Sequence, residues 1–258
     1  MKTIEKTIEY YELLMTYNDT SKYIEYDLPK GYHIEFYKPG DEEAWVNIHM
    51  KSGEFTSKER GLKHFHDFFD PFIEELGKRC FFIVTETGEK IATATISKLI
   101  EKEDGYDAAV DWVAITKEYQ GKKLAKPLIS YFIKLANELG HDRLMLHTQT
   151  TTWLAAKLYL DLGFVPYNID ENIKGWQILK TITNHELLNE IDALPEEEMY
   201  SKLALDIVKI LDEIYTDYEY EIWDKNNRND VYVNCNDKLY KYKFYIKNEE
   251  IELIENKE

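Results

Sequence analysis

The stretch "TKEYQGKKLAKPL", residues 116–128, sets Gly121, the lysines Lys122, Lys123 and Lys126, and Pro127 just after the apolar run "AVDWVAI". The chain as a whole has a formal net charge of −17, so a basic knot at one point asks for a reason. Leu124, Leu128, Phe132, Leu135 and Leu139 keep helical spacing, which predicts a helix from about residue 123 to 139. The knot is then a strand-to-helix turn. The first four N–H groups of a helix lack partners inside it and sit at the positive end of its dipole, so such a turn can cradle a phosphate. Pro127 suits the first turn, where its missing N–H breaks no helical bond. Lys122 and Lys126 also read as ordinary surface charges.

Other reactive groups point to less. His64 and His66 lie two apart and do not share a helical face, so "HFH" reads as packing rather than as metal ligands. Gly121-Lys122-Lys123 lacks the GxxxxGK[ST] spacing of a nucleotide P-loop. No cysteine or serine stands in a nucleophile arrangement, and no metal is expected. Cys80 and Cys235, far apart and without a CxxC context, are expected as reduced thiols.

The elements that must position the turn follow from periodicity. Ile4, Ile8, Tyr11 and Leu14 or Met15 predict an amphipathic helix over residues 2–17. "YHIEFY" suits a short strand, and helices are expected near 41–50 and 57–77. "CFFIVTETGEKIATATISKLI" and "AAVDWVAIT" make a three-stranded antiparallel meander. After the helix at 123–139 come a strand "RLMLHT", a helix "TWLAAKLYLDLG", and a strand pair around "FVPYNI" and "WQILKTI". Beyond residue 182 the texture changes. A helix over 196–215 precedes short alternating runs that predict a small antiparallel meander, with Tyr218, Tyr220 and Ile222 on one strand face and Glu219 and Glu221 on the other. We place a boundary at 182–195, giving a main domain of residues 1–190 and an acidic subdomain of residues 191–258. The helix is expected to cover the meander's apolar face, and the subdomain to tune what the main domain selects or to make a subunit contact, or else to act as a stabilising cap.

Between residues 111 and 164 this order resembles the GNAT superfamily of acyl-CoA N-acyltransferases, whose turn reads Gln/Arg-x-x-Gly-x-Gly/Ala. Gln120 and Ala125 match its outer positions, and Lys123 stands where the family has its central glycine. "DWVAITKEYQG" looks like the family's fourth strand and "AAKLYLDLGF" like its C-terminal helix. The likeness runs from about Tyr32 to Ile182. It implies an α+β fold, a mixed and mostly antiparallel sheet flanked by helices, here extended by the C-terminal helix and meander. It also implies acetyl-CoA as cosubstrate. Its pyrophosphate falls to Gln120, Gly121, Lys122, Lys123, Leu124 and Ala125, and its pantetheine arm and acetyl carbonyl to Val113, Ala114 and Ile115. Tyr159 takes the place beside the coenzyme sulfur, unless it is only a core tyrosine. Thr152 stands where an asparagine often begins that helix.

N-acetylation asks for a base to deprotonate the attacking amine, which for a lysine-like group titrates near pH ~10.4 in water. Asp111, two residues before Val113 and expected on the same strand face, is the first candidate, though it could be a solvated strand residue. Glu54, in the "SGEF" loop between the first two helices, is the second. A strand N–H near Val113 would steady the oxyanion, and Tyr159 would protonate the leaving thiolate or hydrogen-bond it. In the resembled family the first two helices and the loop between them border the acceptor site, which implies that Trp45, Phe55, Phe65 and Phe68 stand there, as pocket or as core.

Composition bounds the rest. The 258 residues, 44% hydrophobic and 31% charged, suffice for one sizeable core or a large and a small domain. No run of 18 apolar residues occurs, and acidic residues occupy the place of a signal-peptide centre, so a cytoplasmic protein without membrane association is expected. The negative balance argues against broad nucleic-acid binding. From Ile182 to Glu258 there are 20 acidic and 9 basic residues, a surface either simply solvated or attractive to a cationic partner. The expected partner is a small-molecule or peptide amine, with a homodimer possible. The competing reading is an acyl-CoA-binding sensor or scaffold of weak catalysis.

Overall fold

Strands β1 (Glu12–Tyr17), β2 (Tyr32–Phe36), β3 (Cys80–Thr85), β4 (Lys90–Glu103), β5 (Tyr106–Ile115), β6 (Leu144–Gln149) and β7 (Val165–Tyr167) form one sheet in the order β2-β3-β4-β5-β6-β1-β7. This computed structural model describes residues 7–103, 106–223, 229–236, 238–247 and 250–256. Every neighbouring pair in the sheet is antiparallel except β5 with β6. The connection between those two is α4 (Ala125–Glu138), a helical crossover of the kind a parallel pair requires. The sheet is therefore mixed and mostly antiparallel, and the fold is α+β.

Helices cover both faces. α1 (Glu42–Ser52), α2 (Lys58–Phe69) and the short α3 (Leu76–Arg79) lie on one side, where Trp45, Ile48, Phe65 and Phe69 pack with Phe82 and Val84. α4, α5 (Trp153–Asp161) and α6 (Ile173–Thr183) lie on the other, over Leu13, Met15, Phe81, Ile83, Val110 and Leu146. α4 buries Leu128, Ile129, Phe132, Ile133 and Ala136 along one stripe. Each such large side chain contributes about 1.5–3 kcal/mol by leaving water, so the helix that begins at the lysine turn is firmly seated.

Two predicted elements are different in the structure. Residues 2–6 of the expected N-terminal helix lie outside the described residues, and from Ile8 onward the segment is extended. Ile8 bridges Tyr200, and β1 inserts between β6 and β7, burying Leu13, Met15 and Tyr17 at period two. The spacing of Ile8, Tyr11 and Leu14 or Met15 fits a helix equally well, and the long-range pairing decides it. "WQILKTI", expected as a strand, is most of α6. Trp176, Ile178 and Leu179 are its buried face, and Asn184 at φ +45° ends it as a left-handed C-terminal residue.

Beyond α6, α7 (Lys202–Ile214) lies on a second antiparallel sheet of β8 (Glu219–Trp223), β9 (Asp230–Cys235), β10 (Lys238–Lys247) and β11 (Glu250–Glu255). Ile207, Val208 and Leu211 of the helix meet Tyr220, Val231, Val233, Tyr242 and Phe244, so one sheet face is dry. The first part of the chain is tied to this region: Glu9 N–H donates to Met199 O and Ser201 N–H to Thr7 O, both at 2.7 Å, and Ile8, Ile178 and Met199 share a small core. Among the described residues no helix is long and apolar enough to cross a membrane.

Candidate active site

The sheet opens where the turn begins. β5 pairs with β4 as far as Ile115, yet it pairs with β6 only at Ala109–Met145 and Val110–Leu146. Past Val110 the two strands part, and the backbone of Val113, Ala114 and Ile115 borders the gap. A bulge sits at its mouth. Thr95 pairs with Asp111 and Thr93 with Ala114, so Trp112 and Val113 oppose Ala94 alone, and Trp112 takes φ +52°. The extra residue resets the alternation. Asp111 lies beside Thr95, which pairs with Cys80 of the α1–α2 core, and Trp112 packs into that same core, while Val113 turns to the α4–α5 side. Asp111 and Val113 thus lie on opposite faces, correcting the expectation that they share one.

The lysine turn follows directly. Gln120 donates from Nε2 to Ile115 O at 3.0 Å, so its side chain fastens the turn to the strand end. Gly121 has φ +77° with nothing within 4 Å of where a Cβ would stand, and Lys123 is left-handed at φ +64°. A lysine thus holds a left-handed conformation of the kind that favours glycine. Leu124 precedes α4 with no side-chain cap, so the first N–H groups of Ala125 onward face outward unclaimed by a capping side chain. Lys122 rests over the Tyr119 ring at 4.1 Å and Lys126 over Tyr26 at 5.6 Å, each anchored beside the helix start.

Tyr159 is buried on α5 near the same gap. Burial raises its hydroxyl above the ordinary tyrosine range, and the carboxylates of Asp111 and Glu54 add to the rise. Both carboxylates singled out for proton transfer are thus near enough to act on the Tyr159 hydroxyl. Asp111 is itself raised by burial, opposed by the Ser97 hydroxyl and His147. It is partly buried rather than a solvated strand residue. His147 on the neighbouring strand is bonded through Nδ1 to Glu12 Oε1 at 2.9 Å. Thr152 is engaged elsewhere: its hydroxyl donates to Gln149 O at 3.2 Å within its own turn.

Above Asp111 stands an aromatic wall. The Trp112 ring lies 5.3 Å from Trp45, 5.5 Å from His49, 6.0 Å from Phe55, 4.6 Å from His64 and 5.7 Å from Phe68. Trp45 and Phe65 are fully buried, whereas Phe55 and Phe68 are partly exposed, so the expected aromatics divide into core and border. His49 is buried with neither ring nitrogen partnered, and burial, with some help from His64, holds its pKa down to about 3. His66 instead faces outward and bonds Asp70 at 2.9 Å. Cys80 and Cys235 are free thiols. Sequence reasoning missed Trp112, His147 and Ser97. The register of β4 and β6 against β5 is what assembles them, and no local pattern announces it.

A model of the Acetyltransferase (GNAT) family matches residues 42–164, from the first turn of α1 to just past α5. Curated relatives include a mycothiol acetyltransferase of Pseudarthrobacter chlorophenolicus, 28% identical over 153 residues that make up 55% of this chain and 45% of that one. Another, from Thermobispora bispora, is 25% identical over 154 residues, 56% of this chain and 50% of that one. The chain spans about half the length of these relatives. Among solved structures, a GCN5-related N-acetyltransferase from Sphaerobacter thermophilus superposes with TM-score 0.50 at 14% identity, covering 62% of this chain and 49% of that one, a likeness of fold.

Proposed function

We propose, from the premise that residues 42–164 form a GNAT acetyltransferase domain, that the protein transfers the acetyl group of acetyl-CoA directly to a primary amine of a small molecule or peptide. The observation that carries this reading is the parting of β5 from β6 directly before an uncapped helix start rich in lysine, with Asp111 and Glu54 both acting on the Tyr159 hydroxyl. The curated relatives are named for mycothiol, a small molecule, which supports the small-molecule arm.

Each residue then has a task. The N–H groups of Gly121, Lys123, Leu124 and Ala125 hold the pyrophosphate, that of Lys122 being directed to Tyr119 O, with Lys122, Lys123 and Lys126 adding charge. Backbone groups along Val113, Ala114 and Ile115 that are not engaged with β4 receive the pantetheine arm, the Ile115 carbonyl excepted because it accepts from Gln120, and a strand N–H near Val113 steadies the negative charge that develops on the acetyl oxygen. Asp111 or Glu54 takes the amine proton. Asp111 is the better matched of the two, because burial makes its carboxylate more basic. Tyr159, protonated at any ordinary pH, hydrogen-bonds the departing thiolate or protonates it, and the burial that makes it a weaker acid favours the hydrogen bond. Cys80, buried and pushed up to about 11, supplies no thiolate for an acetyl-enzyme, in keeping with direct transfer in a ternary complex.

The test is calorimetry with acetyl-CoA at low salt, followed by thiol release against ethanolamine, glucosamine, lysine and a short peptide with a free N-terminus. Binding together with amine-dependent thiol release is the expected result. Binding without turnover on any amine favours a sensor or scaffold, and no binding at all ends the reading.

A further inference from the structure

The acidic C-terminal sheet turns its polar face toward the loop that carries Glu54. β8 and β9 pair Glu219 with Asn234, and Tyr232, two residues away on β9, shares Asn234's face, opposite the face packed on α7. All three side chains reach the main domain. Asn234 Nδ2 donates to Thr56 O at 3.4 Å. The Tyr232 ring lies 4.1 Å beneath the Arg60 guanidinium, in the first turn of α2. Glu219 pairs with Lys117, and both its carboxylate and the lysine come within 4 Å of the Cβ position of Gly53.

These contacts bracket Gly53–Ser57, the connection between α1 and α2. Gly53, left-handed at φ +97°, ends α1, and Ser57 caps α2 by accepting from Arg60 N–H. Within the connection, Gly53 and Glu54 N–H groups fold back on Met50 O and His49 O. Thr56 O is claimed from the C-terminal sheet. Lys117 belongs to the short turn that leads into Gln120 and the lysine cradle, so Glu219 joins the Gly53 end of the connection to that turn.

We propose that the C-terminal sheet is a clamp: Tyr232 and Asn234 are positioning residues that fix the Glu54 loop and so set how tightly the amine acceptor is held, while Glu219 joins that loop to the turn at Lys117. The statement about the acceptor rests on the transferase reading; the statement about the loop does not.

The experiment uses the full chain. In Tyr232→Ala/Asn234→Ala, hydrogen exchange at the amides of residues 53–57 should quicken about tenfold, while β3 stays as in the wild type. The Kd for acetyl-CoA should stay within about twofold, and the KM for the best amine of the panel should rise about tenfold with less change in kcat. Tyr232→Phe, which keeps a ring under Arg60, should behave as wild type. If the double variant fails to fold, each single alanine variant removes one surface contact and carries the same measurements. Unchanged exchange at 53–57 overturns the clamp, and quickened exchange with an unchanged amine KM overturns its role in acceptor binding. Exchange needs neither acetyl-CoA nor amine, so a wild-type protein that binds no acetyl-CoA would sink the transferase reading and leave the clamp to be decided by exchange alone.

Discussion

His49 makes stability depend on pH in a way that can be worked out in advance. Its ring is 4.1 Å from Trp45 and 5.5 Å from Trp112, and it is 1% exposed, with both nitrogens unpartnered. Charging it there would strand a cation among aromatic rings, so its folded pKa falls to about 3, against about 6.5 when unfolded. Above pH 6.5 the residue is neutral in both states and its full contribution is present. Below that, the unfolded chain takes up a proton that the folded chain refuses, and stability is lost at about 1.4 kcal/mol per pH unit until the folded value is reached. At pH 5 the loss relative to pH 7 is about 2 kcal/mol. That figure depends only on the unfolded pKa, because pH 5 lies well above the folded one. Urea unfolding of the wild type and of His49→Phe at pH 7 and pH 5 isolates it, since carboxylates and His64 remain in both proteins. The wild type should lose about 2 kcal/mol more than the variant over this interval. Parallel losses in the two proteins would refute the claim that His49 is buried uncharged.

Three further outcomes are expected. Tyr159→Phe should lower kcat by about 10² to 10⁴ while moving the acetyl-CoA KM far less, in steady-state assays on a turned-over amine; wild-type turnover would return Tyr159 to a packing role. Gly175→Ala should lower the thermal midpoint by the equivalent of about 1–3 kcal/mol, although alanine is the better helix former, because its Cβ would lie 2.6 Å from Tyr11 Cβ and 3.0 Å from Leu13 Cδ2. Lys123→Gly should leave the midpoint equal or raised, since relief of a left-handed lysine, about 1–2 kcal/mol, offsets a glycine cost of about 1 kcal/mol. It should also make acetyl-CoA binding slightly less sensitive to salt in calorimetry, and a drop in stability of more than about 1 kcal/mol would show that the Lys123 side chain itself anchors the turn.

Where local chemistry decides structure, the sequence can be read. The α4 stripe of Leu128, Phe132 and Leu135, the turn at Gly121 and the alternation of Tyr220 and Ile222 each state their own geometry, and each stands as expected. Where pairing partners decide it, local spacing misleads. Residues 8–17 satisfy a helical spacing and a strand alternation together, and only the slot between β6 and β7 selects the strand. The α6 segment carries its own signal in Asn184, a residue type suited to a left-handed helix end, but the run of Ile and Thr before it favours a strand by propensity.

The bulge at Trp112 is the instructive case, because it lies inside the segment that carries the family likeness. Strict alternation through "AVDWVAI" puts Asp111 and Val113 on one face; one extra residue against Ala94 separates them and directs Trp112 toward α1 and α2. That displacement has a chemical consequence. It leaves Asp111 on the α1–α2 side with the Trp112 cluster, while Val113 packs on the core that holds Tyr159; on the proposed reading the first side would receive the amine and the second the thioester. The parting of β6 from β5 beyond Val110 leaves an opening beside this bulge, and on the transferase reading the amine would have to meet the thioester through that opening, not through the strand itself.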